Sequence, residues 1–173
     1  LYQKIQMSSD EIPKWARLEN SNLVHRINQR FIEINGYEMD WMKPITFNHH
    51  IQRLKFNLDR QTVNLTDKLL VRDYVAARVG TEVLIPLRGV YERAEQMDFD
   101  STATGIVIKT NHGSGPNHCE MFPSEKTDDE IREKFTTALS NPYYGTKWGE
   151  FQYDGIEPTL LVEERIGSRS KPP

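Results

Sequence analysis

Ile106-Val-Ile-Lys-Thr-Asn-His-Gly-Ser-Gly115 is the stretch that decides how this chain is read. A short β-branched run predicts a buried strand. Lys109 stands where that strand gives way to a glycine-rich turn. Gly113 and Gly115 permit positive φ and let backbone N–H groups approach a ligand closely. Such a turn can form a nest of donors for an anion, and a neighbouring lysine adds a point charge suited to phosphate. The stretch is not a Walker A loop, because no Gly-Lys-Ser/Thr closes it. Nor is it the dinucleotide fingerprint: Gly113-Ser-Gly-Pro-Asn-His118 lacks the third glycine, and Pro116 opposes a helix interior. An ordinary hairpin turn is the competing reading, since Gly and Ser are default turn residues.

Working outward, a short partner strand is expected near Cys119 to Phe122. Thr127-Asp-Asp-Glu130 has the form of a capping box and opens a helix. Ile131, Phe135 and Leu139 share one face of it, and Pro142 ends it. Thr159-Leu-Leu-Val-Glu-Glu-Arg-Ile166 is the last strand, and Tyr143 to Tyr153 reads as a loop. Upstream, residues 10–36 read as helical, with Leu23, Ile27, Phe31 and Ile34 on one face and Gly36 as the stop. Phe47, Ile51, Leu54 and Leu58 mark a second helix after Pro44. Thr66 and Asp67 open a third, which carries Leu70, Val71, Tyr74 and Val75 and closes at Gly80. Val83-Leu-Ile-Pro-Leu87 is a strand candidate whose Pro86 points to an edge or a bulge. Helices followed by strands mixed with helices indicate α+β or α/β.

The 173 residues allow one domain, or a small domain with an extension. Hydrophobic residues at 37% and charged residues at 27% fit a globular chain with a real core. A formal net charge of −3 provides no basic excess for sequence-independent nucleic-acid binding. No apolar run is long enough for a membrane span, and no signal peptide is visible. The single cysteine, Cys119, excludes an intrachain disulfide and favours a reducing, cytoplasmic setting. Leu1 in place of Met, and an end directly after a strand signal, lead to the expectation of a fragment.

Three pieces converge: Asp67-Lys68-Leu-Leu-Val-Arg72 on a helix, Lys109 with its turn, and Glu163-Glu164 at the end of an apolar strand. On local sequence, Asp67 and Lys68 read better as a capped helix with solvated charges. Glu163 and Glu164 read equally as a solvent-facing strand end. Adjacent strand residues face opposite ways, so one of the two at most touches a ligand directly. The same alternation argues against zinc at His112, His118 and Cys119, because structural zinc also wants four ligands. Trp148 and Tyr153 read as aromatic core rather than a sugar-facing surface.

These pieces resemble the TupA-like ATP-grasp family, associated with bacterial teichuronic acid and other surface polysaccharide synthesis. The likeness runs from about Pro44 to Ile166. It includes Pro44-Ile-Thr-Phe-Asn48, Thr66 to Val75, Leu84 to Tyr91, Trp148 with Tyr153, and Ile156-Glu-Pro158 leading to Glu164. Lys-x-Asn-His-Gly-Ser-Gly is its most specific string. The resemblance implies an incomplete ATP-grasp-like α+β nucleotide-binding domain over 44–173, a mixed sheet with helices, preceded by a helical extension over 1–43. It implies ATP with Mg2+ as cofactors. Lys109 would contact phosphates beneath a loop that includes Asn111, Gly113, Ser114 and Gly115. Arg72 would stand in for a first phosphate-binding lysine, and His112 would meet phosphate or acceptor. Glu163, with Glu164 as the alternative, would receive the adenine amino group.

The family's magnesium ligands lie on late strands beyond this chain's end, which implies weak or no turnover by the chain alone. For the whole protein the resemblance implies an ATP-dependent ligase acting through an acyl phosphate. Its expected partners are ATP and a sugar- or uronic acid-containing glycan, with peripheral association to a polysaccharide-assembly complex. Two alternatives stand beside it: a non-catalytic nucleotide- or sugar-binding module, and a glycosyltransferase-type protein. The last would want an Asp-x-Asp metal motif. Asp98-Phe-Asp100 has that spacing but lies in a polar stretch that suits a turn.

Overall fold

The computed structural model describes residues 21–57, 60–99, 104–141 and 145–167. The expected helix over residues 10–20, Leu58, Asp100, the stop at Pro142, and Tyr143 lie outside them. The described residues gather into two units, one of 21–57 with 145–151 and one of 60–99, 104–141 and 152–167. No helix among them is long and apolar enough to cross a membrane.

The first unit contains α1 (Ser21–Asn35) and α2 (Phe47–Leu54). Leu23, Ile27 and Phe31 are buried along α1, as their spacing predicts, and Phe56, Trp41 and Phe151 complete the cluster. Ile34 is 65% exposed and leaves that stripe. Thr46 caps α2 by accepting the His49 N–H at 3.2 Å. The orientation of α2 corrects the sequence expectation. Phe47, Ile51 and Leu54 are exposed, and the buried residue is His49. Its ring sits 5.4 Å from Phe31 and 5.6 Å from Tyr37. Aromatic packing around an amphipathic ring therefore sets the helix rotation here. The expected loop after Tyr143 contains two short 3-10 turns, Gly145–Lys147 and Phe151–Tyr153.

The second unit runs through α3 (Arg60–Thr66), α4 (Leu70–Val79), β1 (Leu87–Tyr91), β2 (Ile106–Thr110), β3 (Cys119–Met121), α5 (Asp128–Ser140) and β4 (Leu160–Glu164). The sheet order is β1-β4-β2-β3, and every neighbouring pair is antiparallel. This is an α+β architecture, one of the two that the element order allows and the one that the resemblance implies. α3 was not foreseen. The helix expected from Thr66 instead begins at Leu70, because Asp67 takes the Leu69 and Leu70 N–H groups on Oδ1. The strand expected over 83–87 lies later, at Leu87–Tyr91. A 3-10 turn occupies Thr81–Val83, and Pro86 enters the ladder only through its carbonyl, which accepts Glu164 N–H. β1 is an edge strand with a register shift between Leu87 and Gly89, so the edge and bulge inferred from Pro86 are both present.

One face of the sheet is apolar. Ile108, Leu160 and Val162 pack with Phe122 and with Ile131 and Phe135 of α5. The capping box forms as read: Thr127 accepts Glu130 N–H, and Glu130 accepts Thr127 N–H at 2.7 Å. Thr127→Ala is expected to lower stability by ~1 kcal/mol, measured by urea unfolding.

Glu120 on β3 ties the sheet to α5. It accepts hydrogen bonds from Ser124, Lys126 and Lys134. Burial would raise its pKa, but these donors outweigh burial and hold it at about 2. A carboxylate with a depressed folded-state pKa stabilises the fold fully above its unfolded value of 4.5. That stabilisation is lost as pH falls from there towards 2. Glu120→Gln is expected to flatten the melting temperature between pH 4.5 and 2.5, relative to the parent chain.

Candidate functional site

Strand alternation puts Lys109 on the face of β2 opposite to Ile108. The register sets Lys109 beside Leu161 and Val107 beside Glu163, so Lys109 and Glu163 share that face. Glu163 is 4% exposed. Its Oε2 is ion-paired with Lys109 Nζ, and its Oε1 lies 3.0 Å from Arg72 Nη1, which reaches in from α4. Arg72 Nη2 also donates to the Ile85 carbonyl at 2.6 Å. Glu164 points the other way and pairs with Arg88 at a half-exposed position. Of the two acids, Glu163 alone joins Lys109 and Arg72.

The turn beyond β2 hangs on Asn111, which is 1% exposed. Asn111 Nδ2 donates to Asp67 Oδ2 at 3.0 Å and to the Glu157 carbonyl at 2.8 Å. Its Oδ1 accepts Thr159 N–H at 2.9 Å. Those three partners fix the amide's orientation. His112 Nδ1 lies 3.2 Å from the same Oδ1 and donates to it. His112 Nε2 is buried without a hydrogen-bond partner. Burial first, and the His118 charge second, push the His112 pKa down, with the Ala138 carbonyl acting in the opposite sense. The two rings meet edge to face at 5.4 Å.

The two glycines act for different reasons. Gly115 has φ +79°, the left-handed region expected of it. Gly113 is not at positive φ; a Cβ there would run into the His118 ring. His118 is in turn held by Thr110 Oγ1, which also accepts Gly113 N–H at 3.1 Å. Ser114 and Gly115 are exposed at the tip.

Lys68 is the residue that the sequence undervalued. It is not a solvated charge. Its Nζ donates to the Asn111 carbonyl at 3.0 Å and to the Gly113 carbonyl at 2.5 Å. Burial lowers its pKa, and the Lys109 charge adds to that. It makes no ion pair among the described residues. Asp67, expected to be solvated, is 4% exposed and bonded to backbone N–H groups and Asn111. No helical spacing signals it, since Lys68 lies before α4 begins at Leu70.

Two cations, Arg72 and Lys109, thus meet at Glu163, and a third, Lys68, holds the root of the turn near Asp67. The excess is positive, and it lies beside an exposed glycine-containing turn. This arrangement suits an oxyanion such as phosphate. Among the described residues no group of three or more His, Cys, Asp or Glu side chains is placed to hold a metal ion.

The TupA-like ATP-grasp family model matches residues 49–172, more than two-thirds of the chain. No curated protein and no solved structure gives a significant match.

Proposed function

Because the chain belongs to the TupA-like ATP-grasp family, we propose that it binds ATP at the root of the Asn111–Gly115 turn and serves an ATP-dependent ligation. The observation that carries this reading is that Lys109 and Arg72 both pair with the buried Glu163 beside the strand end, while Lys68 holds the carbonyls of the turn. In this reading Lys109, Arg72 and Lys68 contact phosphate oxygens, and the N–H groups of Gly113, Ser114 and Gly115 close over them. A carboxylate has more lone pairs than two cations consume, so Glu163 can also accept the adenine amino group. Glu164, with its half-exposed side chain, is the alternative.

The cations act by charge stabilisation rather than proton transfer. Loss of one well-placed donor of this kind costs roughly 10²–10³ in rate. His112, its pKa lowered by burial, supplies a neutral ring rather than a charge. Magnesium supplied with ATP would offset phosphate charge, and among the described residues no acidic cluster is placed to hold it. The acceptor proposed for the whole protein is a carboxylate, activated as an acyl phosphate, in the assembly of a bacterial surface glycan. That part rests on the family association alone. A calorimetric titration of ATP with magnesium into this chain tests the nucleotide reading. Saturable binding competed by ADP is expected; absence of any binding would remove the proposal.

A further inference from the structure

We infer that the outward face of α2, with the turn that precedes it, docks on an anionic lipid surface. Phe47, Ile51 and Leu54 follow one another at i, i+4 and i+7, so they share one side of the helix. A helix of a globular surface ordinarily turns such a stripe to the core. Here all three are exposed, and His49 takes the buried side. Two more apolar side chains extend the patch upstream. Met42 is 73% exposed and Ile45 76%, beside Phe47 at 77%. Apolar residues scattered singly over a surface need no explanation, but these five stand together between residues 42 and 54.

The patch is built in advance. Asp40 Oδ1 accepts the Met42 and Lys43 N–H groups at 3.0 and 2.8 Å, which fixes the turn that carries Met42. His49 Nδ1 accepts Ile45 N–H at 3.4 Å. Asn48 Nδ2 donates to Asn35 Oδ1 at 2.7 Å and ties α2 to the end of α1. A surface ordered beforehand loses little entropy when it docks.

Charge selects the partner. From Trp41 to Asn57 the chain carries Lys43, Arg53 and Lys55 and no Asp or Glu. Lys55 Nζ is engaged by the Trp148 carbonyl at 2.9 Å. Lys43, next to Met42, and Arg53, next to Leu54, make no ion pair among the described residues. Their stems can lie along apolar surface while the charged heads stay in the polar layer. Apolar side chains with cations and no acid beside them suit an anionic bilayer, where the former enter the acyl boundary and the latter meet the headgroups. A second copy of the chain fits less well, because an isologous contact would set the same cations against each other with no acid to pair them. No helix among the described residues can span a bilayer, so the chain would lie on the surface rather than cross it. None of these residues belongs to the second unit, where the nucleotide is proposed to bind.

The test is flotation of the whole chain with vesicles of phosphatidylcholine alone, and of phosphatidylcholine with about 30% phosphatidylglycerol as the anionic lipid. Saturable binding to the anionic vesicles is expected, at least tenfold weaker on phosphatidylcholine alone, and reduced by salt. Phe47→Ser combined with Leu54→Ser is expected to lower the partition about tenfold or more. Lys43→Gln combined with Arg53→Gln is expected to lower it by a similar factor, at about fivefold per cation. None of the four side chains is buried, and circular dichroism checks that both variants stay folded. Absence of binding to anionic vesicles, or binding that neither variant changes, would overturn the inference. So would a dimer in light scattering that the Phe47→Ser, Leu54→Ser pair dissociates, since the stripe would then be an interface between copies.

Discussion

Lys109→Ala is expected to weaken ATP binding by about 10- to 100-fold while leaving the fold intact. A hydrogen bond to a charged group contributes about 1.5–3 kcal/mol, which corresponds to that range. A second effect acts in the same direction. Without Lys109, Glu163 keeps only Arg72 as its ion-pair partner. Its less compensated negative charge then faces the incoming phosphate. Calorimetry with ATP and magnesium measures the affinity, and thermal unfolding of the same variant checks the fold. Glu164→Gln serves as the control: its exposed pair with Arg88 is worth little, so ATP affinity should stay within about twofold. Unchanged affinity in Lys109→Ala would place the nucleotide elsewhere.

Asn111→Ala is expected to lower stability by about 3 kcal/mol and to loosen the turn. The amide joins three segments distant in sequence: Asp67 ahead of α4, the turn after β2, and the Glu157 and Thr159 backbone ahead of β4. Alanine would leave a buried carboxylate oxygen, a carbonyl and an N–H without partners. Each costs about 1 kcal/mol or more, against a total of roughly 5–15 kcal/mol for a domain. Urea unfolding measures the loss. Asn117→Ala, at an exposed position in the same turn, should change stability by less than about 0.5 kcal/mol. Equal losses in the two variants would remove the special role of Asn111.

Much of the second unit was legible because its signals are local. The Thr127 cap with Glu130 at N3, the apolar run ending in Lys109, and the alternation that separates Glu163 from Glu164 all act within a few residues. The family string around Asn111–Gly115 was legible for the same reason. Pro86 announced an edge and a bulge correctly but misplaced the strand, since proline marks where a ladder cannot donate rather than where it begins.

What lay beyond the sequence depends on contacts between distant segments. Phe47, Ile51 and Leu54 form an apolar stripe, yet α2 turns it outward because His49 packs among Phe31 and Tyr37. Lys68 looks like a surface charge until the turn after β2 brings the Asn111 and Gly113 carbonyls to its ammonium. Gly113 reads as a positive-φ position, but a side chain five residues on is what requires it. Sequence by itself determined β2, β4, α5, the family and the lysine at the end of β2, because helix caps, strand alternation and turn residues are short-range. Tertiary structure alone decided which acid joins that lysine, which lysine holds the turn and which helix face is buried. Those choices are set by the burial of charge and by the pairing of polar groups from distant segments, which no local pattern encodes.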